Sequence, residues 1–295
     1  MSQPNSDMSS TSDHKRDIQA VTRDWLNPAY EFYSRASEDL KEDVNTIKSC
    51  KGLKVCCKVN TVLDHEVLRE WLSSTKKRIL YLDGCFKREG EHSRDSYVTA
   101  VVANFLFKRS NYLVLTYCAL HHKEFHSEDV PFDQDDMIWK VDVLHMFRSL
   151  TAQLLNQIWQ RRREVDLSCI LASRVNWNRV QNNKSTLIKI IHEILARLKG
   201  DDAVYIIIDL GFVKCEKEDM EEIVNLTKEV DVVKVLISQP DDKTFGFVRG
   251  EAGDYTVHID NDETEDADDT GDEASRVIDL EGKTYKEWER GTEEY

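Results

Sequence analysis

The chain has 295 residues, 40% of them hydrophobic, 32% charged and 9% aromatic, which is enough apolar material for a sizeable core and excludes a chain that is disordered throughout. The length sets a prior of about two domains, or one large domain with appendages. Eleven glycines and four prolines are few, which excludes collagen-like and low-complexity classes and disfavours a turn-dense β-sandwich. The formal charge of −15 is uneven: from Glu251 to Tyr295 there are 17 acidic and 4 basic residues, net −13, leaving −2 for the first 250 residues. A nearly neutral body argues against nucleic acid as a partner, because a phosphate-binding surface needs an excess of Lys and Arg.

In chain order, residues 1–16 read as a disordered Ser/Asp-rich leader without the apolar stretch of a secretory signal. Residues 17–76 read as a helical N-terminal segment. From Asp17 to Leu40 apolar residues such as Val21, Trp25, Ala29 and Phe32 recur at helical steps, with Pro28 as a break or kink. A second helix is predicted over Leu63 to Ser73, where Leu68, Trp71 and Leu72 share a face.

Beyond Arg78 the pattern changes to short runs rich in β-branched residues: Ile79 to Asp83, Tyr112 to Cys118, Ala203 to Leu210, Val232 to Ser238 and Tyr255 to Ile259. Such runs suit strands buried on both faces of a parallel sheet. Between them the spacing predicts helices over Ser93 to Lys108, Val141 to Arg162, Ser185 to Lys199 and Glu216 to Val230. In the second of these, Leu144, Phe147, Thr151, Leu154, Leu155 and Ile158 form one stripe. Alternating strands and helices imply right-handed crossovers and a three-layer α/β domain with a mostly parallel sheet of about five strands, placed over 77–260. Residues 261–295 form an acidic tail whose run from Asn261 to Glu273 has no apolar anchor and reads as disordered.

No apolar run approaches the 18 to 20 or so residues that span a bilayer, so no membrane segment is expected. Seven cysteines, an odd number in a long chain, read as reduced thiols and a cytoplasmic location. The short basic runs Lys76 to Arg78 and Arg161 to Arg163 read as solvated helix ends.

In an open parallel sheet, ligands bind beyond the carboxyl ends of the strands. After the first strand comes Asp83-Gly84-Cys85-Phe86-Lys87-Arg88-Glu89-Gly90-Glu91-His92-Ser93 and then a helix, which is where a phosphate-cradling loop would sit. The order Glu70-Trp71-Leu72, then Ile79 to Gly84, then a helix ending Val101-Val102-Ala103-Asn104-Phe105-Leu106 resembles the NACHT-type (STAND) P-loop NTPases of fungal NOD-like receptors. Phe147-Arg148-Ser149-Leu150-Thr151-Ala152-Gln153-Leu154-Leu155 resembles that family's Leu-rich helix. Val204 to Asp209 resembles its Walker B strand, and Val235 to Pro240 the strand that usually ends in Ser-Arg-Pro. The resemblance covers about residues 60 to 260. It implies a P-loop NTPase-like fold with ATP or GTP and magnesium as the family's cofactors, Gly84, Lys87, Arg88, Gly90 and Ser93 as nucleotide-binding candidates and Asp209 as a metal ligand.

The departures shape the functional expectation. The family's loop is Gly-x-x-x-x-Gly-Lys-Ser/Thr, whereas here the glycines are one residue further apart and Gly90 is followed by Glu91 and His92. Losing the lysine and the magnesium hydroxyl costs about 3 to 6 kcal/mol at roughly 1.5 to 3 per charged hydrogen bond, or on the order of a hundred- to ten-thousand-fold in affinity. The acidic pair that follows the family's Walker B aspartate and polarises the attacking water is replaced by Phe212 and Val213, and the Arg of Ser-Arg-Pro by Gln239. Lys87 or Arg88 reaching back to a phosphate, with Ser93 or Ser96 supplying the hydroxyl, is the route by which binding would survive. Asp209 itself reads equally as a ligand or as a structural carboxylate at a strand end.

Other constellations give less. His121, His122 and His126 beside Glu124, Glu128 and Asp129 match no zinc spacing and read as a polar surface loop. Cys50, Cys56 and Cys57 lack a paired C-x-x-C set, and Cys85 near His92 lacks a nucleophile elbow. The expectation is a non-hydrolysing NACHT-like module that acts as an intracellular interaction or regulatory protein, with no catalytic residues and no confident cofactor. The family's effector, winged-helix and repeat regions do not fit in the rest of the sequence, so the expected partner is a protein, for instance a full-length NACHT relative. The alternative is a working nucleotide switch or weak NTPase with a remodelled loop; a small hydrolase would need a nucleophile, base and acid set that the sequence does not display.

Overall fold

The computed structural model describes residues 65–74, 79–84, 94–109, 111–119, 122, 127–129, 138–140, 142–160, 165, 167, 180–198, 203–210, 213–239 and 256–259. The predicted leader, the helix over 17–40 and the acidic tail lie outside them. The first described helix, α1 (Glu66–Ser73), is capped by His65, whose Nδ1 accepts from the Val67 N–H at 3.2 Å, and it buries Leu68 and Trp71. Then come β1 (Ile79–Gly84), α2 (Arg94–Phe107), β2 (Tyr112–Cys118), β3 (Ser127–Asp129), β4 (Ile138–Lys140), α3 (Val143–Gln160), α4 (Lys184–Leu195), β5 (Ala203–Asp209), β6 (Val213–Lys214), α5 (Lys217–Glu229), β7 (Val233–Gln239) and β8 (Thr256–Ile259).

The predicted strand runs pair, all in parallel, in the order β2-β5-β7-β1-β8. Residues alternate across the pleat. Ile79 and Tyr81 of β1, Ile206 and Ile208 of β5, and Val235 and Ile237 of β7 pack with α3, α4 and α5. Leu80 and Leu82, Ile207 and Leu236 pack with α1 and α2 on the other face. Each such side chain taken from water contributes roughly 1.5 to 3 kcal/mol, so both faces must be covered. The connections respect one handedness: from β1 the chain moves across the sheet to β2 along the α2 face, and it steps back to β5 and then β7 along the opposite face. Crossovers of a single hand that travel in opposite directions require opposite faces.

The β2 edge is sealed by side chains. Gln153 on α3 accepts from the Thr116 N–H (2.8 Å) and donates to the Thr116 carbonyl (2.7 Å), and Gln157 does the same for Val114 (3.0 and 2.5 Å). The spacings match: a four-residue step on a helix covers about 6 Å, and a two-residue step on a strand about 6.6 Å. Two glutamines one turn apart therefore continue the backbone ladder where no further strand pairs among the described residues, which blocks edge-to-edge association. The sequence stripe understated α3, whose residues from His145 to Ile158 are buried apart from Arg148; its polar side is needed against β2.

Lys234 is the other polar insertion. It lies on β7, 9% exposed, and donates to the carbonyls of Trp71 (2.6 Å) and Leu72 (2.8 Å) at the end of α1. The ammonium sits near the rings of Trp71 and Tyr205, 5.9 and 5.7 Å from their centroids, so it closes the helix C-terminus and binds α1 to the sheet. Burial pushes its pKa down to about 8. A second, three-stranded sheet, β3-β4-β6, was not expected. Its strands are two or three residues long, too short for periodicity to register.

Two predictions follow from these contacts. Gln153→Leu leaves the Thr116 N–H and carbonyl without the amide and is expected to cost about 2 to 6 kcal/mol in urea unfolding, at roughly 1 to 3 per orphaned group; a loss below about 0.5 would mean the edge does not depend on it. For Lys234, the unfolded chain binds a proton up to about pH 10.4, whereas the folded chain releases it near pH 8. The stability contributed by this group therefore rises as pH climbs from about 8 to about 10 and is lost on the way down. Thermal midpoints of the wild type and Lys234→Met are expected to diverge across that window, and parallel curves would contradict the depressed value.

Candidate functional site

Parallel pairing puts every carboxyl end of the main sheet on one edge. From that edge β1 leads to α2 on one face and β5 leads to α5 on the other, with β7 between them. Strands that part to opposite faces leave a crevice between them, the position where open α/β sheets bind ligands. The chain must return from the end of β1 to the start of β2, so the first turn of α2 lies near this edge.

Three side chains meet there in register, Cys118 beside Asp209 and Asp209 beside Ser238. Asp209 is 4% exposed. Its Oδ2 accepts from the Cys118 thiol at 3.6 Å and its Oδ1 from the Ser238 hydroxyl at 3.3 Å. By strand alternation the row faces the α2 side, continuing the line of Ile207 and Leu236. Both oxygens of the carboxylate thus have a donor, so the described geometry suits a structural strand-end carboxylate at least as well as a metal ligand. The hydroxyl's hydrogen bond is long and a thiol is a weak donor, so each is worth less than a short charge-assisted one.

Of the residues named from sequence, Gly84 ends β1 with its backbone in register with Ile259 of β8, and Asp83 aligns with Gln239. Lys87, Arg88, Gly90 and Ser93 lie outside the described residues, as do Cys85, His92, Cys50, Cys56 and Cys57. Val213, at one of the two positions where the family carries an acid, belongs to β6 and pairs with Trp139 of β4. That backbone is committed to the small sheet. Cys118 and Ser238 were not named as site residues from sequence; Cys118 shows there only as the carboxyl end of an apolar run, and Ser238 as the serine of the strand that resembles one ending in Ser-Arg-Pro.

The histidine reading needs correction. His122, expected on a polar surface loop, is buried at 2% exposure. Its Nδ1 lies 3.2 Å from Nε2 of His145, itself 1% exposed. The His122 ring stacks on Tyr117 at 4.8 Å and 12°. His145 is in the first turn of α3, where its backbone N–H donates to Asp142 Oδ1 at 3.0 Å and Asp142 acts as the N-cap. The physical reason is that Tyr117 and the start of α3 offer an apolar, aromatic wall at the end of β2. His121 and His126 lie outside the described residues.

Among the described residues no group of three or more His, Cys, Asp or Glu is placed to hold a metal ion, and no helix is long and apolar enough to cross a membrane. Comparison of the chain with protein-family models, curated proteins and solved structures finds no match.

A double-mutant cycle tests the row at the carboxyl edge. Asp209→Ala and Ser238→Ala are expected to be coupled by about 0.5 to 3 kcal/mol, the range for contacting groups. Strictly additive effects would mean that the hydroxyl does not serve this carboxylate.

Proposed function

We propose that this chain is a non-hydrolysing module of NACHT-like, P-loop NTPase-type fold that acts through protein contacts as an interaction or regulatory element. The observation that carries the reading is the state of the carboxyl edge. Asp209, the one residue that matches the family's Walker B position, accepts from the side chains of Cys118 and Ser238, and the backbone four residues later, at Val213, enters β6 and pairs with β4. Hydrolysis of a nucleoside triphosphate needs a positioned water and neutralisation of developing charge. Here the residues at the water-polarising positions are Phe212 and Val213, and the loop after Gly84 carries Glu91 and His92 after its second glycine. A fold with α helices on both faces of a parallel sheet, in which β1 and β5 lead from the carboxyl edge to helices on opposite faces, supports the P-loop-like class. The alternative, a nucleotide switch with a remodelled loop, draws on that same carboxyl edge and on Lys87 and Arg88.

Thermal unfolding of the full chain with millimolar Mg-ATP, Mg-GTP and their diphosphates separates the two. Ligand at a hundred times its dissociation constant adds about 2.7 kcal/mol, which moves the midpoint by roughly 5 °C or more in a domain of this size. No shift is expected, and no phosphate release above that of Asp209→Ala. A shift lost in Lys87→Ala or Asp209→Ala would overturn the non-binding reading and make the protein a nucleotide switch.

A further inference from the structure

We infer that the His122–His145 contact is an acid-sensitive clasp, which holds the chain beyond β2 to the first turn of α3 and lets go when both rings carry a proton. Nδ1 of His122 and Nε2 of His145 lie 3.2 Å apart, a hydrogen-bond distance. One of these nitrogens has to donate and the other to accept, so one of the two rings has to be neutral. A first added proton is compatible with the contact. A second turns both facing nitrogens into N–H donors and both rings into cations, and the contact becomes a repulsion. The rings are 2% and 1% exposed, so little solvent screens that repulsion. A histidine in an unfolded chain takes its proton at about pH 6.5. Below about pH 5.5 the opened segment therefore holds both protons, whereas the closed pair holds at most one, and the open form gains on the closed form as pH falls. Only the two end states enter, so no standing path for the proton is required.

The surroundings confine the opening to one place. The Tyr117 ring of β2 stacks on His122 at 4.8 Å and meets His145 edge-on at 6.2 Å. On α3, Asp142 Oδ1 accepts the His145 backbone N–H at 3.0 Å, and Arg148 is turned to the Gln181 carbonyl and to Asn182. On α4, packed beside α3, Lys184 and His192 are engaged by Asp219 and Glu229 of α5, and Lys189 and Arg197 by Glu193. Cys118 and Asp209 stand on the other face of the sheet. Further along α3, Gln153 and Gln157 hold the helix to Thr116 and Val114. Acid thus frees the first turn of α3 while its middle stays on β2. The clasp asks nothing of the nucleotide or interaction reading.

The experiment is hydrogen exchange of the full chain, corrected for the intrinsic pH dependence of exchange, at about pH 7 and about pH 5.5. Amides in the first turn of α3 are expected to lose about tenfold or more in protection at the lower pH, while those of β5 and β7 keep theirs. In the double variant His122→Gln/His145→Gln, first-turn protection is expected to be the same at both. Unchanged protection in the wild type overturns the inference, and so does an equal acid loss in the double variant, which assigns the sensitivity to other groups. Should the double variant fail to fold, imidazole nitrogen NMR of the unaltered chain decides. An N–H···N coupling between the two rings that vanishes as the α3 amides open supports the clasp, and two imidazolium rings in a pair that stays closed overturn it.

Discussion

Burial of one parallel sheet on both faces is the constraint from which the other features follow. A strand with apolar neighbours above and below has no place for a polar side chain except at its ends or where a specific partner meets it. Parallel strands also require the chain to cross back between them, so helices cover both faces and all carboxyl ends share one edge. The polar residues of β2, β5 and β7 obey this closely. Cys118, Asp209 and Ser238 stand at the ends and satisfy one another, and Lys234 is admitted inside because α1 presents two carbonyls and two aromatic rings form its walls.

The same constraint explains the glutamines of α3. A sheet covered on its faces still has edges, and among the described residues β2 is an edge strand, whose Val114 and Thr116 backbone groups these amides meet. An amide side chain reproduces the donor and acceptor of a peptide group, and the near-equal rise of one helical turn and one strand repeat lets a second glutamine repeat the pairing. Stability and protection of the β2 edge are thereby joined in one helix. Tyr205 belongs to this economy as well: burial, with Tyr112 beside it, raises its phenol above the usual range and keeps it neutral within the wall around Lys234.

Polar side chains gather where this order ends. At the carboxyl edge the sheet stops imposing apolar residues, and that is where the Asp209 row, the small β3-β4-β6 sheet and the His122–His145 pair gather. An aspartate in such a place has structural value of its own, because Cys118 and Ser238 supply donors in register.

The main-sheet strands were legible in the sequence to within one or two residues, and β2 to the residue, because strands buried on both faces need continuous β-branched runs and nothing else in the chain has that texture. Their helices were legible to within four residues, from periodicity and from caps such as Asn183, whose side chain accepts from the Thr186 N–H. The acid at position 209 was visible as the end of an apolar run. What only the tertiary structure decided are the pairings between distant residues: Gln153 with Thr116, Lys234 with the end of α1, Ser238 and Cys118 with Asp209, and His122 with His145. None has a sequence signal, since a glutamine, lysine or histidine in isolation is most simply read as solvated. Each becomes a buried group only when a partner from another element removes the cost of leaving water, and that partner is set by strand order and register, which the order of residues along the chain does not encode locally.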